Sequence, residues 1–294
     1  MFNIRKAERT QTKLRIGLSA PSGAGKTYSA LLMASGIASS WDKILLIDTE
    51  SGRGDFYSDL GEYNIITLKA PFSPERYVEA IQAAEGAGME VIIVDSISHE
   101  WEGKGGVLEL VETVAQSKFR GNSYAAWSEL TPRHQKFIEA IITSPCHIIT
   151  TVRNKVDTIM TEDKKVKKVG IKEITREGYE YEVTVNFNID RDTHKVIASK
   201  DNTKLFDSPS GSRDPFIITQ ETGKELINWV KSGKKVTKPI EAETVEVTKE
   251  DVITFLTGLG IERKDMAAYI LEKTKLDAKT AEPKKVLSAL KKAK

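Results

Sequence analysis

Scarcity is the first thing to read in this chain of 294 residues. It holds one cysteine, Cys146, so no internal disulfide can form, and the composition suits a reducing cytoplasm. Four scattered histidines beside that cysteine give no ligand spacing for zinc. Net charge is only +2, which excludes a global field as the source of nucleic-acid affinity; any such affinity must come from local patches. No apolar run approaches membrane-spanning length, and the charged start "MFNIRKAERTQTK" has no apolar h-region behind it. A soluble, cytoplasmic protein is expected, with no membrane partner.

What is present alternates. Short apolar runs at Leu14–Leu18, Ile44–Ile47, Val91–Val94 and Ile148–Val152 read as buried parallel strands. Helical patterns lie between them, at Tyr28–Ala38, Pro74–Ala87, Val107–Ala115 and Pro132–Ile142. That alternation predicts a mostly parallel sheet with helices on both faces. Tyr179, Tyr181, Val183, Val185, Phe187 and Ile189 then alternate with polar residues as one strand. "DRD" turns the chain and "HKVIAS" returns it, giving a late antiparallel hairpin. A helix at "ETGKELINWV" closes this core. The expected organisation is an N-terminal arm (1–12), a core (13–232), an aperiodic linker (233–247) and a small helical module (248–294). In the module, Thr248 and Asp251 fit a capping box, and three short apolar stripes follow.

The chemistry begins between the first strand and helix. Ala20, Pro21, Ser22, Gly23, Ala24, Gly25, Lys26 and Thr27 fit the phosphate-loop pattern, with Ala20 in place of the usual first glycine, and Tyr28 follows. The glycines let successive N–H groups turn inward as an anion nest, and the helix start adds its positive end. Lys26 would reach the outer phosphates, and the Thr27 hydroxyl would ligate Mg²⁺. A chance match is expected in on the order of a few per cent of chains this long. The flanking strand and helix lower that further, so the loop is read as an ATP site. "VIIVDS" ends a strand in Asp95, placed to hold Mg²⁺ at the sheet's C-terminal edge. "LLIDTE" presents Glu50 at the same edge, where a carboxylate could deprotonate the attacking water; the bland reading makes Asp48 and Glu50 loop-capping residues. "HIITTVR" supplies Thr151 and Arg153 as candidate γ-phosphate sensors.

In that order, "APSGAGKT", "LLIDTE", "VIIVDS" and "HIITTVR" resemble the RecA-type ATPase core. "LRIGLSAPSGAGKT", "NSYAAWSELTPRHQKFIEAI" and "REGYEYEV…VIASKDNT" are similar to phage-encoded short RecA-like ATPases, a group that includes the Sak-four-type annealing and recombination proteins. The resemblance covers roughly residues 13–230. It implies a RecA-type α/β core, Glu50 as water activator, ATP with Mg²⁺ as cofactors, and a homo-oligomer, ring or filament, in the host cytoplasm. It also implies single-stranded DNA bound by loops after the Asp95 and sensor strands. The first loop, "QSKFRGNSYAAW", would use Lys118, Phe119 and Arg120, with Tyr124 and Trp127 as further stacking platforms that at helical spacing could equally be core. The second, 154–177, carries Lys164, Lys165, Lys167 and Lys168, diluted by acidic residues; a solvated charged loop is its bland reading.

Two departures stand out. Thr151 stands where RecA has glutamine, and "KDNTK" offers Lys200 and Lys204 where related proteins carry a Lys-x-Arg pair reaching the neighbour's ATP. Lys200 is the candidate trans-acting catalytic group; a solvated hairpin end is the alternative. The lysines of the C-terminal module could meet DNA or an acidic partner such as a single-strand-binding protein. The leading expectation is an ATP-hydrolysing protein that anneals or pairs single strands. A helicase-like or packaging-like hexameric motor, and an ATP switch or kinase without nucleic acid, are the alternatives.

Overall fold

A computed structural model describes residues 6, 8–160, 166–208, 211–212, 214–234, 249–259, 261–278 and 281–292. The chain divides into two compact units, 1–235 and 236–294.

The first unit is built on a sheet ordered β3-β2-β4-β5-β1-β7-β8. Its strands are β1 (Arg15–Ala20), β2 (Ile44–Asp48), β3 (Asn64–Thr67), β4 (Val91–Asp95), β5 (His147–Met160), β7 (Val185–Ile189) and β8 (Val196–Asp201). All neighbours are parallel except β8, which runs antiparallel to β7. The expected mixed α/β class with a mostly parallel sheet and a late hairpin is what forms. β1, β2 and β4 are buried along their whole length, as strands covered on both faces must be.

On one face, α1 (Lys26–Ile37) and α7 (Gln220–Lys231) cross closely. A methyl group on Gly36 would stand 2.1 Å from the Gln220 carbonyl, and one on Gly223 would stand 2.1 Å from that of Met33, so only glycine permits the crossing. The other face carries α2 (Pro74–Gly86) and α5 (Ser123–Thr143), with Tyr77, Ile81, Phe137 and Ile141 in its core. The short α3 (Ser98–Glu102) follows β4, and α4 (Val107–Lys118) packs on α5 around Val111, Val114 and Leu130. Buried Arg15 ties β1 to the end of α5, donating to the carbonyls of Ile142 (2.9 Å) and Cys146 (2.7 Å). The last carbonyls of a helix need such donors, and here they anchor the strand that leads into the phosphate loop.

Three expectations need correction. The pattern from Tyr179 to Ile189 is not one strand. Gly178 turns the chain at φ 94°, and α6 (Tyr179–Glu182) makes a single helical turn that buries the Tyr179 hydroxyl against Thr150 (2.7 Å). α5 begins nine residues before Pro132, because the Asn122 side chain caps it by accepting from the Ala125 N–H (3.1 Å). Much of the expected second loop is strand: residues 154–160 extend β5 and pair with β6 (Val166–Glu173) antiparallel, with a register shift at Asp157/Thr158. β3, a four-residue edge strand, is an addition.

The second unit contains α8 (Lys249–Gly258), α9 (Met266–Thr274) and α10 (Pro283–Lys292) around Val252, Leu256, Met266, Ile270, Val286 and Leu290. Thr248, the expected cap, lies outside the described residues. Among the described residues no helix is long and apolar enough to cross a membrane.

Candidate nucleotide site

Parallel register brings the candidate groups to one sheet edge. Asp48 of β2 aligns with Asp95 of β4, Asp95 with Thr151 of β5, and Arg153 of β5 with Ala20 of β1. Between β1 and α1, Gly23 (φ 81°) and Gly25 (φ 87°) take the left-handed conformation that curls the loop. Lys26 folds back over it and donates to the carbonyls of Ala20 (3.0 Å) and Pro21 (2.9 Å). Burial lowers its pKa, with Asp95 and Glu50 opposing the shift. Tyr28 lies in the first turn of α1, with its ring centroid 6.0 Å from that of Tyr57.

Asp95 is buried, and burial raises its pKa against two hydroxyl donors. Thr27 donates to one of its oxygens and Thr151 to the other. A carboxylate flanked by two hydroxyls is the hard-oxygen set that Mg²⁺ prefers, so Thr27 and Asp95 fit that ion.

The two acids after β2 divide the labour. The Asp48 carboxylate accepts from the N–H groups of Glu50 (2.6 Å) and Gly52 (2.7 Å), and so builds the turn. Glu50 instead faces the cleft and meets Arg153 at 2.7 Å and Arg53 at 3.3 Å. Burial alone would raise its pKa, but the hydrogen bond and charge of Arg153 outweigh that and hold it below the ordinary value. Glu50, Arg53, Arg153, Thr49, Phe56 and His99 line a cavity of about 460 Å³. His99 bonds Thr49 through Nδ1 (2.7 Å) and stacks on Phe72; burial first, then Arg153, lower its pKa. The arrangement can hold a metal-bound triphosphate, and it places a carboxylate where an attacking water can lose a proton.

Other sequence candidates lie elsewhere. Lys118 pairs with Glu129 (2.7 Å), Phe119 packs on the α4–α5 cluster, and Trp127 stacks on Trp101. Arg120 is exposed, and Tyr124 is 88% exposed. Lys167 and Lys168 sit on β6 opposite Ile159 and Thr158, while Lys164 and Lys165 lie outside the described residues. Lys200 pairs in register with Asn186, and its ammonium donates to the Tyr181 carbonyl at the far end of the sheet from its own phosphate loop. It takes no part in the cluster around that loop.

Two partners escaped sequence reasoning. Ser98 accepts from the Arg153 N–H through its hydroxyl (2.8 Å), fixing the sensor strand. His194, in the β7–β8 turn, reaches the Ala24 carbonyl through Nδ1 (3.2 Å). Nothing in the local spacing marks either residue; knowing that β7 lies beside β1 would have pointed to the turn.

The family model described as an AAA domain covers residues 12–230 of this chain. No curated protein matches it.

Proposed function

The chain belongs to the AAA-domain family, and from that premise we propose that this P-loop ATPase uses ATP to anneal or pair single-stranded DNA, in the manner of the phage recombination proteins it resembles. The observation that carries the DNA half of the reading is the continuity of β5. One strand bears Thr151 on Asp95, then Arg153 on Glu50, and then pairs with β6, which carries Lys167 and Lys168. A shift of that strand pair is thereby joined to the two acids of the ATP site.

Lys26 and the loop N–H groups bind the phosphates, with Lys26 exchanging carbonyl partners for phosphate oxygens. Thr27 and Asp95 would hold Mg²⁺, which would supply positive charge against the phosphates. Glu50 takes the proton of the attacking water at its carboxylate. Held by Arg153 it is a weak base, so loosening that ion pair raises its basicity. Lys200, remote from its own chain's loop, would serve the site of a neighbouring copy in a ring or filament.

Binding of a labelled oligothymidylate, measured across a salt series with Mg²⁺ and a non-hydrolysable ATP analogue, tests the DNA reading. With about three phosphates neutralised, affinity should fall about twentyfold for a fourfold rise in salt. The double variant Arg120→Ala/Tyr124→Ala should bind more weakly with a shallower slope. Absence of binding, or a salt-independent affinity, would refute a single-strand substrate.

A further inference from the structure

The groups gathered for the γ-phosphate lie on one side of β1. Glu50 follows β2, Asp95 ends β4, and Thr151 and Arg153 belong to β5, strands that all precede β1 in the sheet order. A triphosphate stretched along the loop from that end sends its nucleoside the other way, toward β7. What stands there is the turn 190–195 between β7 and β8.

That turn is firmly built. The Asp190 carboxylate accepts from the Thr193 N–H (2.9 Å) and hydroxyl (2.6 Å). The Asp190 carbonyl accepts from the His194 N–H (2.9 Å), and the Asp190 N–H donates to the Lys195 carbonyl (2.8 Å). His194 is thereby held at φ 55°, a conformation uncommon for a residue with a side chain. Its imidazole is set against the loop itself. Nδ1 lies 3.2 Å from the Ala24 carbonyl, and a methyl group on Gly25 would stand 3.6 Å from the same nitrogen. With Nδ1–H donating to that carbonyl, Nε2 and the flat ring remain available beside the loop.

We infer that His194 is a nucleoside-contacting residue, its ring flanking the sugar and base of the bound nucleotide while Nδ1 anchors it to the phosphate loop. The inference rests on the loop being an ATP site. It makes the β7–β8 turn the part of the molecule that distinguishes a nucleotide from a bare polyphosphate. A planar ring suits this role, since stacking on a base needs a face and tolerates the neighbouring polar contacts.

Calorimetric titration of the full chain with Mg-ATP and with Mg-tripolyphosphate tests this. His194→Ala should weaken Mg-ATP about tenfold, the loss of one stacking contact, and leave tripolyphosphate within about twofold. His194→Asn keeps a donor for the Ala24 carbonyl and tolerates positive φ, but has no ring, so it should behave like the alanine variant. Equal losses for both ligands would make His194 a mere prop of the loop and overturn the inference. Unchanged ATP affinity in either variant would overturn it too. If the wild-type chain binds neither ligand, the ATP-site reading itself fails, which is a separate outcome.

Discussion

Burial and Arg153 pull the Glu50 carboxylate in opposite directions. Desolvation favours the protonated form, the guanidinium at 2.7 Å favours the ionised one, and the ion pair prevails. In Arg153→Ala the strongest of the partners opposing desolvation is gone, with Lys26 and His99 remaining, so the Glu50 pKa should rise. The acidic limb of the kcat/KM profile should therefore move to higher pH, because protonation disables the base sooner as pH falls. Arg153→Lys, which keeps a cation, should hold the limb near its wild-type position. A limb that stays put in Arg153→Ala, or moves to lower pH, would show that another group titrates. Legibility at this scale followed chain-local spacing. Lys26, Thr27 and Asp95 stood out because a loop and a strand end carry their own signatures. His194 did not, because its partner Ala24 is 170 residues away and adjacent only through sheet order.

At the scale of elements, two-sided burial is plain in a sequence, whereas alternation by itself can mislead. β1, β2 and β4 are continuous apolar runs and were plain in the sequence. The segment from Tyr179 to Val183 kept a strand's alternation through a helical turn, because Tyr179 and Val183 are both buried from a turn opened by Gly178. The β5–β6 hairpin was hidden for the opposite reason. A register shift at Asp157/Thr158 breaks its alternation, and its lysines give it the composition of a solvated loop. Its base is nevertheless tied to both sides of the ATP site. Glu173 accepts from Ser19 on β1 and from Asn186 on β7 (3.1 Å), while Arg153 meets Glu50. Replacing 157–170 with Asn-Gly would preserve the Val156–Ile171 pair and close the hairpin with a favoured two-residue turn. ATP affinity should be unchanged, and stimulation of turnover by single-stranded DNA should be lost. Persisting stimulation would move DNA sensing to another element.

At the scale of the molecule, a net charge of +2 means that the proposed DNA affinity must come from local surfaces. The candidate surfaces are the α4–α5 connection with Arg120 and Tyr124, and the β5–β6 hairpin. The first unit contains the whole phosphate-loop cluster, and the second has a core of its own. What unites loop, acids and hairpin is that ATP turnover should depend on the polymer at the surface. Glu50 is held by Arg153, so under the proposed mechanism basal hydrolysis should be slow until that ion pair loosens. The most direct measurement is therefore steady-state ATP hydrolysis by the full chain with Mg²⁺, without DNA, with duplex and with single strands. Slow turnover alone, and a severalfold rise in kcat with single strands that duplex does not reproduce, is the expected result. Turnover identical in all three conditions would contradict it.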